Sequence, residues 1–392
     1  MRRRRQIRKA GAASCGMVIE FVATCLFGLE HFLGEEIDRL GYRRTETIDG
    51  RVSFIGDEAA VARCNINLRC AERLYIKMGS FRARTFGELF EGTKAIEWER
   101  FIGREDAFPV KGHAVKSKLF SIPDCQSIVK KAVAKRLDNE YGMCWFPESK
   151  TKYQIEFFIL KDIATLMIDT SGVPLHKRGY RAIAGAAPLR ETLAAALALN
   201  SRPRENVLLW DPFCGSGTIA IEAAMIMKNQ APGLFRRFAA EEFAVAPPEL
   251  WAEARAEAKA AIRPTAFEAY ASDIDPEMVQ LAADNAARAG VSDVVKTFVA
   301  DACTIRTGGR RGTIVCNPPY GERMGSADEV ERLYARMGQH FRSLEPWQVY
   351  ILTSSERFER LYGRRADKVR KLYNGMIPCY LYQYFKFDRP EG

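Results

Sequence analysis

The sequence predicts an α/β protein whose C-terminal half is a doubly wound, mostly parallel sheet, preceded by two smaller α+β units. Three features predict this architecture. After residue 207, short apolar strands alternate with helical segments, the pattern of repeated βα units. A glycine-rich turn directly follows the first of these strands. Before residue 170, strands and helices also alternate, but the last two strands are close enough to form a hairpin.

The chain has 392 residues, enough for two or three domains with a substantial buried core. Its 47% hydrophobic and 11% aromatic residues exclude a disordered chain. No run approaches the roughly 18–20 consecutive apolar residues of a membrane span, so we expect no membrane contact. The ten cysteines form no CxxC pair and the four histidines do not cluster near them. We therefore expect no metal site and no disulfides, and reduced thiols predict a cytoplasmic protein.

The formal charge of +10 favours a polyanionic partner. Five arginines within residues 1–16 supply half of it, and we expect that segment to be a disordered basic tail. Whether the native protein contains this tail stays open. An ordinary solvated basic surface is the alternative explanation of the charge.

The N-terminal half divides into two units. In the first, the patterns predict strands at 18–24, 51–55 and 73–81 and helices at 29–40 and 57–65. In the second, they predict a strand at 109–116, a helix at 122–137 and a hairpin of 152–160 with 163–169. Residues 111–136 contain seven lysines and arginines but one acidic residue, an aspartate, so this unit is the more basic of the two.

Glycine and proline punctuate residues 171–190, which predicts a linker. Beyond it we expect helices at 191–200, 218–228, 276–289 and 328–342, and strands at 207–210, 268–272, 294–299, 312–316 and 347–352. Strands at 368–373 and 377–385 should close the sheet edge as an antiparallel hairpin.

The turn after strand 207–210 carries the strongest chemical signal. It reads Asp211-Pro-Phe-Cys-Gly-Ser-Gly-Thr218 and leads into a helix. Glycines let a ligand approach the backbone, and the helix start exposes N–H groups. The turn lacks the Gly-Lys-Ser/Thr of a phosphate loop and is not GxGxxG.

This string resembles the cofactor loop of class I S-adenosylmethionine-dependent methyltransferases, and more narrowly that of RNA methyltransferases with a THUMP domain. Three further stretches share the resemblance: 171–181 with 187–194, Ala231-Pro-Gly-Leu234, and Tyr373-Asn-Gly375. It covers about residues 17–385. It implies a ferredoxin-like module at 17–66, a THUMP RNA-binding domain at 67–170, a linker at 171–190 and a Rossmann-like methyltransferase domain at 191–392.

The resemblance also implies how S-adenosylmethionine is bound. Asp211 would reach the methionine amino group, Asp273 or its substitute Asp275 the ribose hydroxyls, and Asp301 the adenine amino group. Asp301 has an alternative role as a helix cap. The other expected cofactor residues are Phe213 and Ile274 as apolar walls, with Cys214, Gly215, Ser216, Gly217, Thr218 and Ala302.

A second motif, Asn317-Pro318-Pro319-Tyr320, follows strand 312–316. In the family that it resembles, this motif acts on nitrogen atoms conjugated to a planar ring, whose lone pairs are poorly nucleophilic. The Asn317 side-chain oxygen and the Pro318 carbonyl can accept hydrogen bonds from such an amine and align it for attack. Tyr320 can stack on the extruded base.

The resemblance is strongest to bacterial guanine-N2 methyltransferases of 23S ribosomal RNA, so methylation of a guanosine N2 in that RNA is expected. Transfer RNA, adenine N6, the glutamine N5 of release factors, and a non-catalytic assembly role remain the alternatives. The expected phosphate contacts are Lys116, Lys118, Arg178 and Arg181. The oligomeric state stays open.

Overall fold

The computed structural model describes residues 17–181, 189–319 and 327–387, and they form two seven-stranded sheets with helices packed against them. Across the first sheet, the strands in order begin at residues 43, 51, 19, 71, 163, 155 and 110. Across the second, they begin at residues 295, 269, 208, 312, 348, 377 and 368. No helix within these ranges is long and apolar enough to cross a membrane.

The front sheet joins both N-terminal units into one structure. Its strands are β1 (Ile19–Cys25), β2 (Arg43–Ile48), β3 (Arg51–Gly56), β4 (Ala71–Arg82), β5 (Val110–Val115), β6 (Ile155–Leu160) and β7 (Ile163–Asp169). The 12-residue strand β4 pairs with β1 on one side and with β7 on the other. One continuous strand therefore links the two units.

Four helices accompany this sheet: α1 (Glu30–Arg39), α2 (Glu58–Asn67), α3 (Phe86–Lys94) and α4 (Ile122–Tyr141). Helix α1 places Leu33 and Ile37 on its buried face, one turn apart. Helix α4 ends at Gly142, whose φ of 64° is the left-handed conformation that glycine adopts most readily at a helix end.

The C-terminal sheet has five parallel strands followed by an antiparallel hairpin. The strands are β8 (Leu208–Asp211), β9 (Ala269–Asp273), β10 (Val295–Val299), β11 (Gly312–Cys316), β12 (Gln348–Thr353), β13 (Lys368–Asn374) and β14 (Ile377–Tyr384). The order in the sheet reverses direction at β8, whose neighbours are β9 and β11. Ligands of open α/β sheets bind at the carboxyl ends of the strands at such a switch point.

Within the described part of this domain there are six helices: α5 (Glu191–Ser201), α6 (Thr218–Met227), α7 (Pro248–Ala260), α8 (Pro276–Arg288), α9 (Ala327–Arg342) and α10 (Phe358–Tyr362). Nearly every residue of α5 and α6 is buried. Helix α7 packs on α2 of the front half, where Arg63 and Glu257 form an ion pair of 2.8 Å.

The predicted strands and helices are all present, with ends displaced by at most a few residues. The sequence patterns missed β2, α3, α7 and α10. Strand β2 was not predicted because it is an edge strand with five exposed residues and lacks the apolar alternation that identifies a strand in sequence.

Candidate functional site

The glycine-rich turn lies at the carboxyl end of β8, beside the end of β9. Gly215 and Gly217 have φ angles of 48° and 78°, which most other residues disfavour. A Cβ on Gly217 would lie 2.9 Å from the Cβ of Ala282 on α8. The sequence thus needs glycine there both for the turn and for close packing of two helices.

Asp273, the last residue of β9, organises this turn. Its Oδ2 accepts a hydrogen bond of 2.9 Å from the backbone N–H of Gly215, and its Oδ1 accepts one of 3.1 Å from the N–H of Asp275. A carboxylate oxygen has a second lone pair. Asp273 can therefore hold the turn and still accept from a ligand hydroxyl, as the ribose prediction requires.

Asp211 is a buried carboxyl group with few partners. It is 1% exposed, and its Oδ1 accepts a hydrogen bond of 3.2 Å from the N–H of Phe213. The pKa of Asp211 is raised well above its usual range. Burial is the largest cause, and the nearby negative charge of Asp273 raises the pKa further. A cationic group placed beside Asp211 would reverse this effect, so the site fits the ammonium of an amino-acid ligand.

Apolar side chains flank the carboxylates. Ile274 is 70% exposed at the end of β9, and Phe213 is half-buried. Val299, which lies opposite Asp273 on β10, is 56% exposed and was missed by the sequence patterns. Exposed apolar side chains beside an acidic strand end suit the planar face of a base.

Three of the predicted cofactor residues have other roles in the fold. Asp275 caps α8, because its Oδ1 accepts a hydrogen bond of 2.8 Å from the N–H of Glu277. Asp301 accepts from the N–H of Cys303 at 2.8 Å and forms an ion pair of 3.0 Å with Arg336. Ala302 is buried. The cap alternative for Asp301 is thus present in the structure, and its adenine contact stays a prediction.

Ser216 and Thr218 complete the turn, with their hydroxyl oxygens 3.0 Å apart. The backbone N–H of Cys214 donates to the carbonyl of Ser272 at 3.0 Å, and its thiol is buried. Cys214 therefore fastens the turn to β9, and its contact with the cofactor stays a prediction.

Asn317 follows β11, which is the neighbour of β8. Its side-chain Oδ1 is buried and has no hydrogen-bond partner among the residues that the structure describes. Leaving a buried acceptor unsatisfied costs on the order of 1–3 kcal/mol, so this oxygen is suited to a donor that arrives with a substrate. Pro318 is buried beside it, and Tyr320 lies outside the described residues.

A tyrosine missed at the sequence level fixes the loop after Asn317. The buried hydroxyl of Tyr334, on α9, donates to the carbonyl oxygen of Pro319 at 3.1 Å and lies 2.8 Å from the hydroxyl of Thr353. Cys316, the residue before Asn317, is fully buried, and this burial raises the pKa of its thiol well above the usual range. A protonated, buried thiol is not a nucleophile, so the arrangement favours direct transfer to a positioned amine.

The structure separates the four expected RNA contacts into two groups. Lys116 and Lys118 are exposed beyond the end of β5 and remain candidates. Arg178 is only 5% exposed: it donates to the carbonyls of Leu175, at 2.6 Å, and Arg69, and lies 3.4 Å from Glu222. A phosphate contact by Arg178 is therefore not supported, because its guanidinium is buried and paired inside the protein.

Arg181 is also largely withdrawn from solvent. Its guanidinium donates to the carbonyl of Leu189, at 2.6 Å, and to the hydroxyl of Thr218, the first residue of α6. Its side chain is 12% exposed and lies 3.5 Å from Glu191. Arg181 thus joins the linker to the cofactor turn, and an RNA contact by this residue is not supported.

Comparisons with known proteins identify the family. Residues 178–383 match the model described as the RMKL-like methyltransferase domain, 20–75 the RlmL ferredoxin-like domain and 83–169 the THUMP domain. The chain is 46% identical to YpsC of Bacillus subtilis, a candidate RNA methyltransferase, over 94% of this chain and 97% of YpsC. The chain belongs to the THUMP-containing, RlmL-like RNA methyltransferase family. The expected fold and the S-adenosylmethionine cofactor are thereby confirmed, whereas the exact domain boundaries stay predictions.

Other family relatives extend the comparison. Ribosomal RNA large subunit methyltransferase K/L of Legionella pneumophila (strain Lens) is 34% identical over 92% of this chain, which spans only 52% of that protein. A solved structure from Listeria monocytogenes, titled a predicted N6-adenine-specific DNA methylase, is 44% identical with a TM-score of 0.88, covering 94% and 96% of the two chains. The structure of SMU.472, titled a candidate methyltransferase complexed with SAH, is 40% identical with a TM-score of 0.88, covering 95% of this chain and 99% of that chain.

Proposed function

We propose that this RlmL-like methyltransferase transfers a methyl group from S-adenosylmethionine to the exocyclic N2 of a guanosine in 23S ribosomal RNA. The observation that carries the proposal is the buried Oδ1 of Asn317, which has no hydrogen-bond partner within the described part of the chain and follows the strand next to that of Asp211. Asn317 would then offer an acceptor to the amine of a base, and Asp211, on the adjacent strand, would offer its carboxylate to a cationic group of the cofactor.

S-adenosylmethionine supplies the activated methyl group on a sulfonium. Asp211 would accept from its amino group, Asp273 from the ribose, and Ile274 with Val299 would border the adenine. The turn at Gly215 would let the ligand lie against the backbone. The related SMU.472 was solved as a complex with SAH, which supports a cofactor of this class.

Asn317 would act on the target amine. An exocyclic amine of a base is planar, because its lone pair is delocalised into the ring. Acceptance by Asn317 Oδ1 and by the Pro318 carbonyl would orient the two N–H bonds and favour pyramidal geometry as the nitrogen attacks the methyl carbon. The aligned nitrogen would then accept the methyl group from the sulfonium, with S-adenosylhomocysteine as the leaving group, and the extra proton of the methylated amine would pass to solvent.

The target base and the target RNA are inferred from relatives and from the THUMP domain. The K/L relatives are named for large-subunit ribosomal RNA. The expectation of guanine N2 comes from the resemblance of the sequence motifs alone. Against this, the Listeria relative is titled for adenine in DNA, and two acceptors would also hold an adenine N6. Transfer RNA is the rival substrate among RNAs. The THUMP domain supports RNA over DNA.

The test is nucleoside analysis by mass spectrometry. Unmodified 23S ribosomal RNA, a transfer RNA pool and duplex DNA are each incubated with the purified protein and isotopically labelled S-adenosylmethionine. We expect labelled N2-methylguanosine in the ribosomal RNA alone. Label in N6-methyladenine, or in transfer RNA, would replace the proposal with that alternative.

A further inference from the structure

The β13–β14 hairpin extends past the edge of the sheet at which the site lies. Cys316 pairs with Ile351, and Leu352 pairs with Leu381, so Asn317 is level with Leu381 on β14. Ile377 precedes Leu381 by four residues. At ~3.4 Å per residue and ~4.8 Å between strands, the hairpin turn lies ~13 Å beyond Asn317 and ~10 Å to its side.

The hairpin turn exposes apolar side chains. Met376 is 93% exposed and Ile377 is 51% exposed. The two-residue turn begins with Gly375, whose φ of 65° is the conformation that tight hairpins require at this position. Because the turn has only two residues and Gly375 fixes its geometry, Met376 is held at the tip of the hairpin, where its side chain is exposed.

The front domain lies against the same hairpin. Phe27, in the loop after β1, is 53% exposed and packs edge-on against Tyr373, with ring centroids 5.6 Å apart. A Cβ on Gly28 would lie 3.0 Å from both Leu372 and the carbonyl of Lys371, so this loop is seated closely on β13. Phe27 and Tyr373, together with Met376 at the turn, therefore place apolar groups from both halves of the chain at this end of the hairpin, and these three residues are called the hairpin platform. Ile377 pairs with Asn374 and so lies on the other face of the hairpin from Tyr373.

The platform is bordered by positive charge. Strand β13 carries Lys368, Arg370 and Lys371, and residues 368–377 contain no acidic side chain. The ammonium of Lys371 lies 5.7 Å from the centre of the Tyr373 ring. Glu30, at the start of α1, accepts hydrogen bonds from the N–H groups of Gly28 and Gly50. Exposed aromatic and apolar groups bordered by cations are the surface that unpaired nucleic acid selects.

We propose that the hairpin platform binds unpaired RNA nucleotides next to the base that is methylated. The occupant is RNA because the surface is basic and lies on the same edge of the sheet as Asn317, ~16 Å from it by the strand spacings given above. This inference rests on the proposed function in that the RNA substrate is the one methylated at Asn317.

The experiment measures the affinity of the full-length protein for a fluorescently labelled 23S ribosomal RNA fragment that it methylates, or, without methylation, for total unmodified 23S transcript. Met376→Glu should weaken RNA binding by about 10-fold or more, since it adds negative charge to a stacking surface, and Met376→Gln should weaken it less. Both variants should bind S-adenosylmethionine as the wild type does. The control is Val18→Glu, an equally charged change at a 71% exposed residue at the opposite end of β1.

Unchanged RNA affinity in Met376→Glu would overturn the platform, whether or not the wild type methylates that RNA. Loss of affinity that Val18→Glu reproduces equally would also overturn it. A dimer that Met376→Glu dissociates, seen by sedimentation, would show that a second copy of the chain occupies the surface instead. Absence of methylation by the wild type would refute the proposed function separately.

Discussion

The hydroxyl of Tyr334 donates a hydrogen bond of 3.1 Å to the carbonyl oxygen of Pro319, two residues after Asn317. This bond ties helix α9 to the loop that would present the catalytic acceptor. The backbone N–H of Ser355 donates to Thr353 Oγ1 at 3.1 Å, and the Thr353 hydroxyl can in turn donate to Tyr334. The three groups then form a chain of hydrogen bonds that ends at the loop.

Tyr334→Phe should therefore lower the single-turnover rate of methyl transfer by about 10-fold, because a loosened loop misplaces Asn317. Cofactor affinity should not change. Tyr384→Phe is the matched control, since Tyr384 is equally buried and donates to a carbonyl, that of Arg364 at 3.3 Å, away from the site. Equal rate losses in the two variants would show that the Tyr334 bond has no special role.

Asp211→Ala should abolish measurable S-adenosylmethionine binding in calorimetry, since it removes the buried partner for the amino group, while RNA binding persists. Asp211→Asn, which keeps the size of the side chain, should also bind the cofactor weakly because it lacks charge. Wild-type affinity in either variant would contradict the pocket assignment.

Burial raises the pKa of Asp211, which gives a pH dependence with a defined sign. Below the usual aspartate range the carboxyl is protonated whether the chain is folded or unfolded, so it makes no difference to stability. As pH rises from that range towards the raised pKa, the unfolded chain releases the proton first and the cofactor-free protein loses stability. Asp211→Asn should therefore raise the melting temperature at pH 8 more than at pH 4. An equal change at both pH values would contradict the raised pKa.

The buried Glu222 should be important for stability. It is fully buried at the junction of the domains, 3.4 Å from Arg178 and 3.5 Å from Arg69. Glu222→Ala removes the carboxylate that lies between these guanidinium groups in the interior and should cost ~3–5 kcal/mol of unfolding free energy. Glu257→Ala, which removes an exposed partner of Arg63 in the same junction, should cost ~0–1 kcal/mol. Denaturant unfolding monitored by circular dichroism compares the two, and similar losses would refute the assigned difference.

Lys116 and Lys118 can be tested together. Replacing both with glutamate should weaken RNA binding and flatten its dependence on salt, since fewer phosphates are neutralised. Filter binding across a range of salt concentrations measures the slope. Glutamate at Lys135, an exposed lysine that pairs with Asp138 at 2.7 Å, serves as the control. An unchanged slope in the double variant would exclude these lysines from the RNA surface.

The sequence predicted the parts of the site that are local. Asp211, Asp273 and Asn317 each stand just after a short apolar strand, and the carboxyl ends of parallel strands share one edge. The roles of Arg178 and Tyr334 could not be predicted in this way, because they depend on partners distant in the chain. Glu222 neutralises Arg178 from 44 residues away, and the spacing of Tyr334 on its helix indicates only an apolar face.

The hairpin platform also depends on a contact between residues distant in the chain, which the sequence patterns do not predict. The patterns predicted both strands of the hairpin, but not that Phe27 of the front domain packs on Tyr373. Contacts between units depend on how the two sheets are placed, and no local periodicity encodes that placement.

The most direct test of the proposed chemistry is the single-turnover rate of Asn317→Ala on an RNA that the wild type methylates. Removing one preorganised hydrogen-bonding group from a transition state costs ~100-fold or more, so the variant should lose at least that much while S-adenosylmethionine affinity stays the same. Asn317→Asp, which keeps an acceptor oxygen, should retain more activity than the alanine variant. Methyl transfer by Asn317→Ala at the wild-type rate would contradict the role of this residue and with it the proposed mechanism.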